Sequence, residues 1–434
     1  MNIILLSGGS GKRLWPLSNE ICSKQFIKLF KDKDGNYESM LHRVYNQINT
    51  VAPAAKVTIA APKTQVSAIY NHVGSHAAVC IEPCRRDTFP AIALAGAYLH
   101  DEQGVSNDEC VVVCPVDHYA DNTYYETFNN LNLLVQQGAA NLTLLGIEPA
   151  APSRKYGYII PESADTVSKV KTFKEKPDKE AAKQYIVQGA LWNSGIFAFK
   201  LGYLLEKAHS LLDFTDYHDL YSKYNTLGKI SFDYAVVENE ASIQVMRYTG
   251  EWKDIGSWDM MTEIMADQTK GDVTLDETCV NVNVVNELDI PILVMGCTDM
   301  IVAAGFDGIL ISDKKHSGAM KPHVEKIAGD VRYVEKSWGT YTVLNVQPGS
   351  MTIKNNIRAG HAMSYHSHEK KDEVWTVVSG TGISIVDGME QTVHSGDVVT
   401  IAAGCRHMII AETDLSLIEI QIGDELAAKD KIIH

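Results

Sequence analysis

Basic residues are scarce relative to acidic ones: 39 Lys and Arg stand against 54 Asp and Glu in 434 residues, a formal charge of −15. A surface of that sign repels nucleic acid and anionic lipid, so neither is expected as a partner and any phosphate site has to be local. Long apolar runs are missing too. No stretch approaches the roughly 20 residues of a membrane helix. The opening run at residues 3–6 has no basic residue before it and passes straight into glycines. Neither a signal peptide nor a membrane anchor is expected, and a cytoplasmic location follows. The eight cysteines are scattered. The closest pairs, Cys80 with Cys84 and Cys110 with Cys114, fall in or beside apolar runs without zinc-ligand spacing and read as reduced core thiols. Low-complexity linkers and solenoid-length repeats are absent as well.

What is present is a folded composition, 45% hydrophobic and 21% charged, at a length that suits two or three domains. Residues 2–6, 57–61, 111–114 and 142–146 are continuous apolar runs, the pattern of strands buried on both faces. Residues 88–100 and 177–188 carry apolar residues at helical spacing. Residues 1–271 therefore read as an α/β domain, a Rossmann-like open mixed sheet whose ligands sit beyond the carboxyl ends of its strands. From 272 to 330 short Val, Ile and Leu runs broken by Gly, Asn and Asp predict a small β-rich connecting module. From 331 to 434 β-branched residues and turn signals predict a jelly-roll β-barrel.

After the first strand comes Ser7-Gly8-Gly9-Ser10-Gly11-Lys12-Arg13-Leu14-Trp15-Pro16-Leu17-Ser18. Glycines after a strand let backbone amides approach a phosphate, and adjacent cations neutralise it. The run is not a Walker loop, because Leu6 and Arg13 stand where its first glycine and its hydroxyl residue belong. Through Lys24-Gln25-Phe26 it resembles the signature of sugar-1-phosphate nucleotidyltransferases, and its Leu-Trp-Pro-Leu-Ser tail resembles the mannose-1-phosphate guanylyltransferase branch. The resemblance implies that Gly8, Gly9, Gly11 and Lys12 cradle a nucleoside triphosphate and that Arg13 and Lys24 contact its phosphates. Lys12 departs from the family's usual Thr, and Ser23 from its usual Pro.

Residues 111–116 end in Pro115-Val116 and present Asp117 at a strand tip, where a metal ligand belongs in such a sheet. Far along the chain, Trp252-Lys253-Asp254-Ile255-Gly256 offers a second carboxylate. Read alone, each Asp is as readily a turn residue; the family resemblance makes the two Mg²⁺ ligands, Mg²⁺ being the cation that lets two anionic phosphates meet. The same resemblance assigns Glu175 and Lys176 of Phe173-Lys174-Glu175-Lys176-Pro177, together with Gly157, Asn193 and Asp233, to the sugar phosphate. Asp87 stands where the family has asparagine and is expected to read guanine N–H groups. GTP and a sugar 1-phosphate are the implied substrates.

His366-Ser367-His368 places two imidazoles on one face of a strand, Glu373 follows, and His407 comes later. These residues resemble both halves of the cupin motif, with Ala402 and Ala411 departing from it, and imply a metal site for Zn, Fe, Mn or Ni. Some relatives fuse such a cupin to a phosphomannose isomerase activity. Here His366 replaces a glutamine, Val374 a histidine, and the final Lys-Ile-Ile-His has no arginine, which argues against that activity. Three readings remain: transfer of GMP from GTP to mannose 1-phosphate or a close sugar 1-phosphate; the same enzyme also isomerising a sugar phosphate at the cupin; and a non-catalytic GTP or sugar-nucleotide sensor. Exposed barrel edges favour a homodimer through the C-terminal part.

Overall fold

The continuous apolar runs become the strands of a nine-stranded sheet in the computed structural model, which describes residues 1–9, 12–19, 21–327, 329, 331–424, 426 and 430–434. The chain divides into two bodies. One holds Met1–Ser10 and Gln25–Ala266; the other holds Gly11–Lys24 and Asp267–His434.

In the first body the sheet order is Ala78–Glu82, Lys56–Pro62, Asn2–Leu6, Cys110–Pro115, Leu191–Lys200, Leu142–Ile147, Ile243–Tyr248, Val167–Lys174 and Tyr158–Pro161. The first four are mutually parallel. Leu191–Lys200 runs antiparallel to both its neighbours, so the sheet is mixed as expected. Ile3, Ile4, Val111, Val112 and Val113 are fully buried, which is why their runs do not alternate with polar residues. The predicted helices form as Thr88–Asp101 and Lys179–Val187. The second starts at Lys179 because the Asp178 carboxylate caps it, accepting from the Ala181 N–H at 2.8 Å. Leu6 pairs with both Ala60 and Pro115, so the glycine turn and the segment leading to Asp117 leave the sheet at the same edge.

In the second body, Thr269–Lys270, Asn283–Asn286 and Met300–Gly305 pair in parallel, with Gly308–Asp313 antiparallel at the edge. Val282, Val284, Val294 and Val302 form their small core. A short helix, Lys321–Ile327, buries only Val324, too little periodicity to read from the sequence. Residues 12–19 pack within this body: Leu14 is fully buried and the Asn19 side-chain amide donates to Asp307 at 2.7 Å. The C-terminal part is a barrel of two sheets, six strands and five, around Ile357, Trp375, Val377, Val399 and Leu417 from one and Val393, Ile409 and Ala411 from the other. Among the described residues no helix is long and apolar enough to cross a membrane.

Candidate active site and metal centre

The segments that carry Asp117 and Asp254 are brought side by side by a two-stranded ribbon. His118–Ala120 pairs antiparallel with Trp252–Asp254, placing Asp254 opposite His118, and the Ile255 N–H donates to the Asp117 carbonyl at 3.2 Å. Aromatic packing fixes the ribbon: the His118 ring lies 5.0 Å from Tyr124 and 6.3 Å from Trp252. An oxygen-donor side chain just before one strand of the ribbon and another at the end of its partner are of the type that a hard cation such as Mg²⁺ takes.

Gly157, Glu175, Lys176, Asn193 and Asp233, far apart in sequence, come together. Asn193 lies where Leu191–Lys200 loses register with its neighbour, and Gly195 just beyond it has φ +77°. The irregularity releases the Asn193 amide, which donates to Asp233 Oδ1 at 2.7 Å, while the Asn193 backbone N–H donates to the Gly157 carbonyl at 2.9 Å. Lys176 Nζ donates to Glu175 Oε1 at 2.6 Å. Burial, then the Glu175 charge, push the Asp233 carboxyl up to about 7 against the Asn193 and Lys176 contributions. Burial disfavours the Lys176 charge, but the Glu175 contact outweighs it and raises its pKa. The cluster thus mixes hydrogen-bond acceptors, an amide and a half-exposed cation, the set that a polyhydroxylated phosphate requires. Tyr156 links it to the ribbon, its ring 4.6 Å from Trp192 and 5.7 Å from Trp252. Burial raises the Tyr156 pKa, and the Asp254 charge adds to the rise.

At the nucleotide-side segment, Asp87 is exposed at the start of the helix Thr88–Asp101. It sits at φ +72° and accepts from its own helix at the Thr88 N–H, 2.8 Å away. A carboxylate missed in the sequence lies beside the glycine turn. A Cβ on Gly8 would be 3.8 Å from Glu82 Oε1, and Tyr224 donates to Glu82 Oε2 at 2.9 Å. Burial pushes Glu82 up to about 7. Arg85 reaches the Gly9 carbonyl at 3.4 Å. Glu82 closes an apolar strand just before Pro83. Arg13 is exposed, Lys12 and Lys24 are partly buried, and Gly11 lies outside the described residues.

In the barrel, one ligand atom from each of His366, His368 and His407 lies within 4.8 Å of the others. Glu373 joins them, with Oε1 3.2 Å from His368 Nε2 and Oε2 3.3 Å from His407 Nε2. His366 and His407 each donate Nδ1–H to a backbone carbonyl two residues earlier, Ser364 at 2.6 Å and Cys405 at 3.0 Å. A carbonyl only accepts, so when each ring is neutral its Nε2 is the lone-pair nitrogen that a metal requires. Burial, with nearby Lys431, lowers His366 to about 3; burial opposed by Glu373 lowers His368 to about 4. Burial alone would raise Glu373, but the His407 contact and the charges of His407, His368 and Lys371 hold it well below the usual carboxylate range. Trp375 Nε1 and Gln421 Nε2 also donate to Glu373, each at 3.2 Å. Buried imidazoles around an ionised carboxylate fit a divalent transition metal.

Fold and sites together define a class: a mixed α/β sheet with a glycine turn at one edge, in a chain that also carries a double-sheet barrel with three clustered histidines. Residues 2–271 match the Nucleotidyl transferase family, and the chain belongs to it; residues 355–421 match the Cupin domain. The chain is 27% identical to the mannose-1-phosphate guanylyltransferase of Klebsiella pneumoniae, over 99% of this chain and 97% of that protein. It is 28% identical to the mannose-1-phosphate guanylyltransferase ManC of Salmonella typhimurium, over 99% and 96%. Among solved structures it is similar to one described as mannose-1-phosphate geranyltransferase from Thermus thermophilus, with TM-score 0.61 and 26% identity over 75% of this chain and 98% of that one.

Proposed function

We propose that the chain transfers GMP from GTP to mannose 1-phosphate, releasing pyrophosphate. The observation that carries this reading is the convergence, within one body, of the Asp117–Asp254 ribbon and the Glu175, Lys176, Asn193 and Asp233 cluster, joined through Tyr156, in a chain whose full-length relatives are mannose-1-phosphate guanylyltransferases. In this reading Gly8, Gly9, Gly11, Lys12, Arg13 and Lys24 receive the triphosphate. Asp117 and Asp254 hold Mg²⁺, which when bound supplies the charge neutralisation that two approaching anions need. Glu175, Asn193 and Asp233 orient the sugar hydroxyls beside Gly157, and Lys176 neutralises the sugar phosphate.

The nucleophile is a phosphate oxygen, already anionic, so no general base is required. It forms a bond to the α-phosphorus while the α–β bridging bond breaks and pyrophosphate departs with the electron pair. Positioning and electrostatics supply the rate. Purified protein with Mg²⁺ should release pyrophosphate fastest from GTP with mannose 1-phosphate, in a panel of four nucleoside triphosphates crossed with mannose and glucose 1-phosphates. A faster competing pair, or no pyrophosphate from any, would replace the reading.

A second reading adds isomerisation of a sugar phosphate at a metal held by His366, His368, Glu373 and His407; the departures at His366 and Val374 lead us to expect none. Mannose 6-phosphate formed from fructose 6-phosphate, and lost in His407→Ala, decides it.

A further inference from the structure

Three imidazoles converge in the barrel, but only two are oriented by their own strand. His366 and His407 each lock Nδ1 onto a carbonyl two residues back. His368 has no such lock. Its Nδ1 is buried without a hydrogen-bond partner among the described residues, and the group facing it is the Asp430 carboxylate, with Oδ2 at 3.9 Å; both side chains are 6% exposed. Asp430 comes from the far end of the chain. It is itself held in place, its oxygens accepting from the Glu369 and Lys370 N–H groups, each at 3.2 Å. The segment after it, Lys431–Ile433, pairs antiparallel with His366–His368, matching Lys431 to His368 and Ile433 to His366. His434 completes the closure: its N–H donates to the Tyr365 carbonyl at 3.0 Å and its Nε2 lies 2.9 Å from Ser367 Oγ.

We infer that the C-terminal segment is part of the barrel's metal site, with Asp430 the positioning residue for His368. A ligating histidine needs its second nitrogen fixed by a carboxylate or carbonyl, which sets the tautomer and the ring orientation. For His368 the only such group among the described residues is Asp430, so the tail strand carries the orienter for one of the three imidazoles. The strand pairing and the two backbone donors are what aim the carboxylate at Nδ1 rather than at solvent. Loss of one outer carboxylate of this kind costs about 10- to 100-fold in metal affinity, and that is the loss expected here.

This rests on the reading of the cluster as a metal centre, and the test separates the two. Zn²⁺ affinity of the metal-stripped full chain is measured by competition with a chromophoric chelator, with His407→Ala identifying the equivalent that belongs to the barrel. If wild type and His407→Ala bind alike, the metal reading itself fails. If they differ, Asp430→Asn, which keeps an acceptor oxygen for one of the two backbone donors but loses the other and the charge, should weaken that equivalent about 10- to 100-fold. Protection of the Ser367 amide against hydrogen exchange, a reporter of the tail strand, should stay at the wild-type level. Wild-type affinity in Asp430→Asn overturns the inference. So does an affinity loss that comes with loss of Ser367 protection, since the strand and not the carboxylate would then be responsible.

Discussion

Gly157→Ala tests the sugar cluster with the smallest possible addition. A Cβ at this position would stand 2.5 Å from Glu175 Oε2 and 2.8 Å from Phe173 Cζ. Ordinary contact begins near 3.4 Å, so Glu175 has to retreat by about 0.9 Å and the Phe173 ring by about 0.6 Å. Phe173 is buried, at 5% exposed, and has little room to give; overpacking of this kind costs about 1–3 kcal/mol. Glu175 is also bonded to Lys176, so the displacement carries the phosphate-side cation with it. A misplacement of about 1 Å in a reacting constellation costs on the order of 100-fold in rate. Steady-state pyrophosphate release should therefore show kcat/KM for mannose 1-phosphate falling about 10- to 100-fold while KM for GTP holds, with a Tm lowered by a few degrees. A folded Gly157→Ala protein with wild-type kcat/KM for the sugar phosphate would refute the assignment of Glu175 and Lys176.

Three further outcomes are expected. Asp254→Ala should lower kcat about 10²- to 10³-fold with an unchanged far-UV circular dichroism spectrum, because the residue lies on a short ribbon and not in the core; an active variant in Mg²⁺-replete buffer removes it from the site. Glu82, pushed up to about 7 by burial from about 4.3 in an exposed chain, binds its proton more tightly when folded. Its stabilising contribution is full below about pH 4.3 and is lost as pH rises through about 7, so Glu82→Gln should flatten the decline in urea midpoint between pH 5 and pH 8, and an unchanged slope counts against it. Trp375, fully buried and donating to Glu373, should cost about 3–5 kcal/mol as Trp375→Ala, read in chemical denaturation as the barrel's transition; a shift below about 1 kcal/mol would show that the barrel core lies elsewhere.

Much of the first body was legible because parallel strands buried on both faces leave unbroken apolar runs, as in Ile3, Ile4 and Val111 to Val113. The position of Asp117 just beyond a strand was legible because Pro115 ends that strand. Glu82 closes its strand before Pro83, and only the fold shows that it lies beside Gly8. The His366 and His368 pair was readable from two-residue spacing on a strand. Other features were not readable, since they depend on chain segments distant in sequence. The space under Gly157 is set by Phe173 and Glu175. The packing of residues 12–19 with the second body depends on groups such as Asp307, and Asp430 reaches His368 only through the tail strand. No periodicity or local spacing encodes such approaches.

The most direct measurement follows the α-phosphorus itself. With GTP labelled at that atom, mannose 1-phosphate and Mg²⁺, the label should pass into a GDP-sugar in step with the release of unlabelled pyrophosphate, and only when both substrates are present. Label recovered as free GMP or GDP, or left in GTP while the protein is folded and Mg²⁺-saturated, would contradict the account.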